Sequence, residues 1–231
     1  MTPALRVGGI TPLTTIDYPG ELAAVVFCQG CPWRCRYCHN SDLINAAGGT
    51  PYVWEDVLTF LTRRRGLLDA VVFSGGEPTA QRALPDALRQ VRDLGYKVGL
   101  HSAGCYPDRL ARVLGLVDWV GLDIKALPED YAALTGVPDS GTRAFESLGY
   151  LRESSVAFEV RVTVHATLLP RPRLERFLNM LEASGVRNIM LQRCREGRML
   201  DTSLALDSVS SLSTDRCSVT EWRDQVGCNN G

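Results

Sequence analysis

Three cysteines spaced C-x3-C-x2-C stand in the segment Cys31-Pro32-Trp33-Arg34-Cys35-Arg36-Tyr37-Cys38-His39-Asn40. Four-iron clusters are normally held by four thiolates, so three at this spacing fill three corners and leave one iron open. An open iron implies chemistry, because a substrate or cofactor can bind it directly. The ligands are ionised thiolates, and metal binding holds them deprotonated. Pro32 and Trp33 stiffen and cover the turn that must bring the thiolates round one cube, and Tyr37 is placed to shield it from water.

A second reading adds Cys28 and makes a compact four-thiolate zinc or iron site. Structural zinc sites usually place two knuckles on separate turns, more than about a dozen residues apart. Cys28 instead ends the apolar run that begins at Leu22, where a thiol serves as a small buried hydrophobe. A disulfide framework is not expected, since no secretory signal is read at the amino terminus and 231 residues suffice to bury a core unaided. Cys105, Cys194, Cys217 and Cys228 are scattered and read as structural or incidental. The expected compartment is reducing and cytoplasmic.

The elements that must carry this loop follow from the pattern of the rest of the chain. Short β-branched runs alternate with longer segments of helical period, the signature of an α/β fold. The runs are Leu22 to Cys28, Ala70 to Ser74, Lys97 to His101, Trp119 to Ile124, Ala157 to Val164 and Asn188 to Gln192. Helices are expected near 54–64, 81–94, 107–115, 143–153 and 172–184, several ending at a glycine: Gly66, Gly95, Gly115 and Gly185. That makes about six β/α units, fewer than the eight of a full barrel of about 250 residues. Active residues of parallel β/α barrels gather at the carboxyl ends of strands. Here the cysteine loop, Gly75-Gly76-Glu77, His101-Ser102, Asp123 to Lys125, Thr163 to His165 and Gln192 all follow strand runs, which reads as one rim and one site.

With an aromatic before its last cysteine, the triad resembles the signature of the radical S-adenosylmethionine (SAM) superfamily. Thr15-Ile16-Asp17-Tyr18-Pro19-Gly20 and His39-Asn40 resemble the activating enzymes of glycyl radical enzymes. Ser74-Gly75-Gly76-Glu77-Pro78 resembles the motif that meets the SAM amino group, and Asp123-Ile124-Lys125 and Arg161 to His165 follow in the activases' order. Within the activases the likeness is greatest to the anaerobic ribonucleoside-triphosphate reductase activating proteins, over roughly residues 8 to 200.

The resemblance implies a partial, open TIM-like barrel of the radical SAM type over residues 1–200. Residues 201–231 are then a C-terminal extension with a short helix, a last strand and a frayed end. It implies a 4Fe-4S cluster on Cys31, Cys35 and Cys38, and SAM bound by Tyr37, His39, Gly75, Gly76, Glu77, Ser102, Asp123, Lys125, Arg161 and His165. Consecutive glycines let backbone approach a ligand closely, and Asp123 and Lys125, two apart on a strand, share one face. An ion pair at a strand end is the alternative reading of that pair, and a core histidine that of His165. At His101-Ser102-Ala103-Gly104 the chain departs from the Asp-Thr-Asn-Gly of many activases, which puts their cation-binding aspartate in doubt here. Asp17 reads either as a turn former or, by resemblance, as a residue that positions the partner.

The activity so implied begins with one-electron reduction of the cluster by a flavodoxin or ferredoxin. Reductive cleavage of SAM and abstraction of hydrogen from a glycine of the partner follow. Two other functions are carried beside it: a radical SAM enzyme acting on a small molecule or peptide, of the carboxy-deazaguanine synthase kind, and a non-catalytic metal-binding module. Bulk properties exclude other classes. Twenty-five basic and 26 acidic side chains give a net charge of -1, which offers no footprint for nucleic acid or an anionic membrane. No apolar stretch approaches the length of about 18 residues needed to span a bilayer, and no repeat is evident.

Overall fold

The computed structural model describes residues 4–194, 199–204 and 219–224. Cys217, Cys228, the serine run Ser208 to Ser213 and the end from Gln225 to Gly231 lie outside the described residues.

The β-branched runs form strands because their alternate side chains can be buried on two different faces. In chain order the strands are β1 (Val7–Thr14), β2 (Ala23–Cys28), β3 (Ala70–Gly75), β4 (Lys97–Ser102), β5 (Trp119–Asp123), β6 (Ala157–Val164), β7 (Ile189–Arg193) and β8 (Val219–Asp224). They lie side by side in that same order in one sheet, with β1 antiparallel to β2 and every later pair parallel. The sheet is open, with β1 and β8 at its edges. The six expected strands are therefore present, and the edge strands β1 and β8 extend them. Sequence reading missed β1, because glycines and Pro12 interrupt its run. Proline is tolerated there since an edge strand has one unpaired side.

Helices α1 (Trp54–Arg63), α2 (Leu84–Asp93), α3 (Pro107–Val113), α4 (Tyr131–Thr135), α5 (Ser140–Glu153) and α6 (Arg171–Ala183) fill the crossovers. Their apolar stripes, such as Leu84, Ala87, Leu88 and Val91 of α2, meet the outward residues Val26, Val71, Val98, Val120, Val160 and Leu191 in the larger core. The inward residues Val25, Phe27, Val72 and Trp119 form a second, smaller core with Tyr18, inside the curve of the sheet. Tyr18 stacks on Trp119 at 5.2 Å between ring centroids, so the loop between β1 and β2 plugs the concave side.

Two expectations change. Gly66, Gly95 and Gly185 take the positive φ that lets a chain turn out of a helix, but Gly115 does not. It lies inside a 3-10 turn, Leu114–Leu116, that continues α3. The short α4 was not anticipated, and it ends at Gly136 with φ 71°. Among the described residues no helix is long and apolar enough to cross a membrane.

Candidate active site

The loop after β2 is held from four directions before any ligand is considered. Gly30 and Cys31 donate their N–H groups to Leu43 O and Ile44 O, at 2.7 and 3.0 Å. Arg34 and Arg36 donate to Thr135 O and Leu134 O at the end of α4, at 2.9 and 3.0 Å. Glu77 N–H reaches back to Gly30 O at 2.8 Å, and Leu200 and Asp201 donate to Cys38 O and Arg36 O. Trp33 is 1% exposed and packs edge-on against Tyr131, whose hydroxyl accepts the Lys125 N–H at 2.8 Å. Thus α4, absent from the sequence reading, supports both the cysteine loop and the end of β5.

Cys31, Cys35 and Cys38 line one cavity with Tyr37, His39, Gly75, Gly76, Ser102, Asp123, Lys125 and Arg161. It encloses about 770 Å³ of space between protein atoms, part of it open to solvent. Among the described residues no three His, Cys, Asp or Glu side chains gather closely enough to hold a single metal ion. Three thiols on one cavity suit a cube, in which each thiolate takes a different iron. Two buried polar atoms of this loop, Trp33 Nε1 and Tyr37 Oη, have no hydrogen-bond partner among the described residues. Cys28 is fully buried in the outer core, where desolvation pushes its thiol up, so it is the small hydrophobe that the sequence suggests rather than a fourth ligand.

Burial also pushes the Cys35 thiol up, to about 12, and raises Cys38. Cys31 is lowered, first by a hydrogen bond with Cys105. Cys105 had no role in the sequence reading, and its contact with Cys31, across a long separation in the chain, carries no local signal. His39 lies against Cys194, with its Nε2 3.6 Å from the sulfur.

The strand ends opposite the cysteines carry the charged groups. Asp123 pairs across the sheet with Arg161, and its Oδ1 accepts from Arg161 Nε at 2.8 Å while Oδ2 accepts from Lys125 Nζ at 3.1 Å. Burial acts to raise the Asp123 carboxyl, but the two cations outweigh it and hold it well below the usual carboxylate range. Burial likewise opposes the charge on Lys125, and Asp123 more than restores it. Asp123, Lys125 and Arg161 thus form a three-membered ionic group, largely buried and open on one side to the cavity.

Two expected SAM contacts, Glu77 and His165, do not line the cavity. Glu77 is 0% exposed and behind the cavity wall. Its Oε1 accepts from Thr79 N–H at 3.1 Å, Thr79 Oγ1 at 2.6 Å and Ser102 Oγ at 2.8 Å, and its Oε2 from Ala103 N–H at 2.9 Å. It brackets the ends of β3 and β4 together, because a buried carboxylate needs that many donors to replace water. His165 is buried, 3% exposed, just after β6 and does not line the cavity. Gly75 and Gly76 do line it, but a Cβ on either would strike the backbone of the cysteine loop: Cys28 for Gly75, Gly30 for Gly76. Their lack of a side chain serves close packing of two backbones.

His101 lies on the cavity wall with both ring nitrogens engaged, Nε2 2.8 Å from Asp17 O and Nδ1 3.2 Å from Ser74 Oγ. A carbonyl only accepts, so Nε2 carries the proton, and in the neutral ring Nδ1 accepts from the serine hydroxyl. The Asp17 carboxylate accepts from Thr14 Oγ1 at 2.6 Å, which is the turn-forming role.

An open parallel sheet with three thiols and a buried ionic group on one rim defines a class, and comparison with known proteins agrees. The profile of the Radical SAM superfamily matches residues 25–183, and the chain belongs to that superfamily, among the activating enzymes of glycyl radical enzymes. It is 32% identical over 192 residues to a pyruvate formate-lyase-activating enzyme of Clostridium pasteurianum, covering 80% of this chain and 78% of that one. It is 30% identical over 166 residues to a putative glycyl-radical enzyme activating enzyme of Methanocaldococcus jannaschii, covering 68% and 67%. Among solved structures it resembles Streptococcus suis SuiB bound to S-adenosylmethionine, with TM-score 0.58, 15% identity and 73% of this chain covered. A second likeness is to anSMEcpe with bound AdoMet, at TM-score 0.60, 16% identity and 72% coverage. The matches span 39% and 49% of those longer chains and speak to fold alone. The chain is thus an enzyme of the radical SAM oxidoreductase type, and the cofactors of the superfamily are a 4Fe-4S cluster and SAM.

Proposed function

We propose that this protein generates a glycyl radical on anaerobic ribonucleoside-triphosphate reductase, at the site lined by Cys31, Cys35 and Cys38. The observation that carries the reading is that these three thiols, and not Cys28, share one cavity with Asp123, Lys125 and Arg161. Cluster and SAM, when bound, supply one-electron cleavage of a sulfur–carbon bond and an adenosyl radical that takes hydrogen from glycine. The chain's own residues hold and orient. The cysteines give up their protons on metal binding. Lys125 and Arg161 present positive charge toward a carboxylate or hydroxyl of SAM, and Asp123 keeps both cations in place. The strand end at Gly75 and Gly76 offers backbone groups to the methionine ammonium. Trp33 and Tyr37, both buried, keep water from the loop.

Glu77 and His165 act in this reading as supports behind the SAM site, and Asp17 shapes the loop that reaches His101. A flavodoxin or ferredoxin supplies the electron, in the cytoplasm. The reductase as partner rests on the likeness of residues 8 to 200. A second reading, pyruvate formate-lyase as partner, is favoured by the names of the relatives in Clostridium pasteurianum and Escherichia coli.

The test is anaerobic incubation of the reconstituted protein, SAM and reductant with each purified glycyl radical enzyme in turn, followed by electron paramagnetic resonance. A glycyl signal on the reductase alone supports the first reading. A signal on formate-lyase alone moves the assignment to the second, and 5'-deoxyadenosine without either signal removes both.

A further inference from the structure

Residues 199–204 lie beyond the stretch that the superfamily profile matches, yet they are laid against the last part of the cysteine loop. Leu200 N–H donates to Cys38 O at 3.1 Å and Asp201 N–H to Arg36 O at 2.9 Å, two successive amides turned onto the same stretch of the loop. The side chains repeat the connection, since Arg36 Nε meets Asp201 Oδ2 at 2.7 Å. The other oxygen of Asp201, Oδ1, accepts from Ser203 N–H at 2.9 Å and from Ser203 Oγ at 2.6 Å, which fixes the carboxylate toward the arginine. Met199 and Leu204, 7% and 6% exposed, anchor both ends of the segment in the outer core, and Cys194 touches both Met199 and His39.

The opposite edge of the loop is held by α4, through Arg34 and Arg36 N–H, but those bonds stop at Arg36. Past that point the carbonyl of Cys38 has its bond from Leu200. We propose that residues 199–204 are a clamp and Asp201 a positioning residue, which together fix Cys38 and the intervening Tyr37 for cluster binding. The clamp rests on the reading of Cys38 as a cluster ligand. Its physical logic is that of preorganisation: a ligand already held in place releases its metal more slowly than one on a free loop.

The test measures iron release from the reconstituted chain to an excess of chelator, without oxygen, and amide hydrogen exchange in the metal-free chain. Asp201→Ala and Arg36→Ala are expected to release iron about two- to fivefold faster, the scale of a partly exposed ion pair. The exchanged pair, Arg36→Asp with Asp201→Arg, recovers part of the loss, which a merely structural defect at either site would not. Leu200→Pro removes the N–H given to Cys38 and accelerates release more, while Leu200→Ala, at an exposed side chain, leaves it unchanged. Thermal melts confirm that each variant is folded. In the metal-free chain the Leu200 and Asp201 amides are expected to exchange slowly, and the substitutions at 36 and 201 to speed them.

Wild-type release rates in Asp201→Ala and Leu200→Pro, or unprotected amides at 200 and 201, would overturn the clamp. If the chain holds no iron, the function proposed above falls instead. The clamp is then decided by the exchange rates and by alkylation of Cys38, which Asp201→Ala should hasten and an absent clamp would leave unchanged.

Discussion

Each cysteine of the loop region has a different environment, and that difference makes them separable by mutation. Cys35 lines the cavity, whereas Cys28 belongs to the outer core with Val26 and Phe73. Replacing Cys35 by alanine is expected to abolish reductant-dependent formation of 5'-deoxyadenosine. Cys28→Ala should retain product formation and lower stability by about 1 kcal/mol, the cost of a small cavity, as read from denaturant unfolding. Equal loss of product in both would remove the three-thiolate assignment. Asp123 makes a second test. Its carboxylate sits between Lys125 and Arg161, whose side chains are 12% and 9% exposed, so Asp123→Asn leaves two buried cations without their counter-charge. Unfolding experiments should show a loss of about 3–5 kcal/mol, the scale found when one partner of a buried ion pair is removed. A loss below about 1 kcal/mol would mean that water already screens the group.

The elements act on the site mainly through backbone. The end of β3 and the start of the cysteine loop approach so closely that Gly76 N–H bonds Cys28 O at 2.9 Å and Glu77 N–H bonds Gly30 O. At Gly75, φ is +110°, a conformation that side chains with a Cβ rarely adopt, and the added carbon would meet the Cys28 backbone. Gly75→Ala should therefore cost more than the roughly 1–3 kcal/mol of backbone strain alone. Its effect should fall on cluster retention as well as on the melting temperature, since the loop must move to make room. Unchanged iron content and melting would show that the two elements can part freely. Glu77 ties the same region to β4, through Ser102 and Ala103, so three successive strands share one bracket.

For the whole molecule, the relevant lever is pH. The folded-state pKa of Asp123 lies below its ordinary value of 3.8, so its contribution to stability is complete above about pH 4 and is lost as pH falls through the depressed value. Acid unfolding of the intact chain should thus be steeper below about pH 4 than that of Asp123→Asn, with the two curves converging at the acid end. Parallel curves across that range would mean that Asp123 is no better stabilised in the folded chain than in the unfolded one.

The triad, the glycine pair, the Asp–Lys pair and the alternation of strands and helices were legible in the sequence because each is a local regularity. Thiol spacing, a period of two and a period of 3.6 depend on neighbours within a few residues. The order of strands followed too, since parallel β/α units in succession place their carboxyl ends on one rim. What the sequence could not show was which distant groups would meet. Arg36 and Asp201 are 165 residues apart, His101 and Asp17 are 84 apart, and neither spacing marks a partnership. Glu77 looked like a ligand contact because it stands in a ligand-binding motif. Only the folded chain brought Thr79, Ser102 and Ala103 round its carboxylate and made it a support. Spacing thus determined which residues could do the chemistry. Burial and long-range hydrogen bonding, which exist only in the tertiary structure, decided which of them face the cavity and which hold its walls.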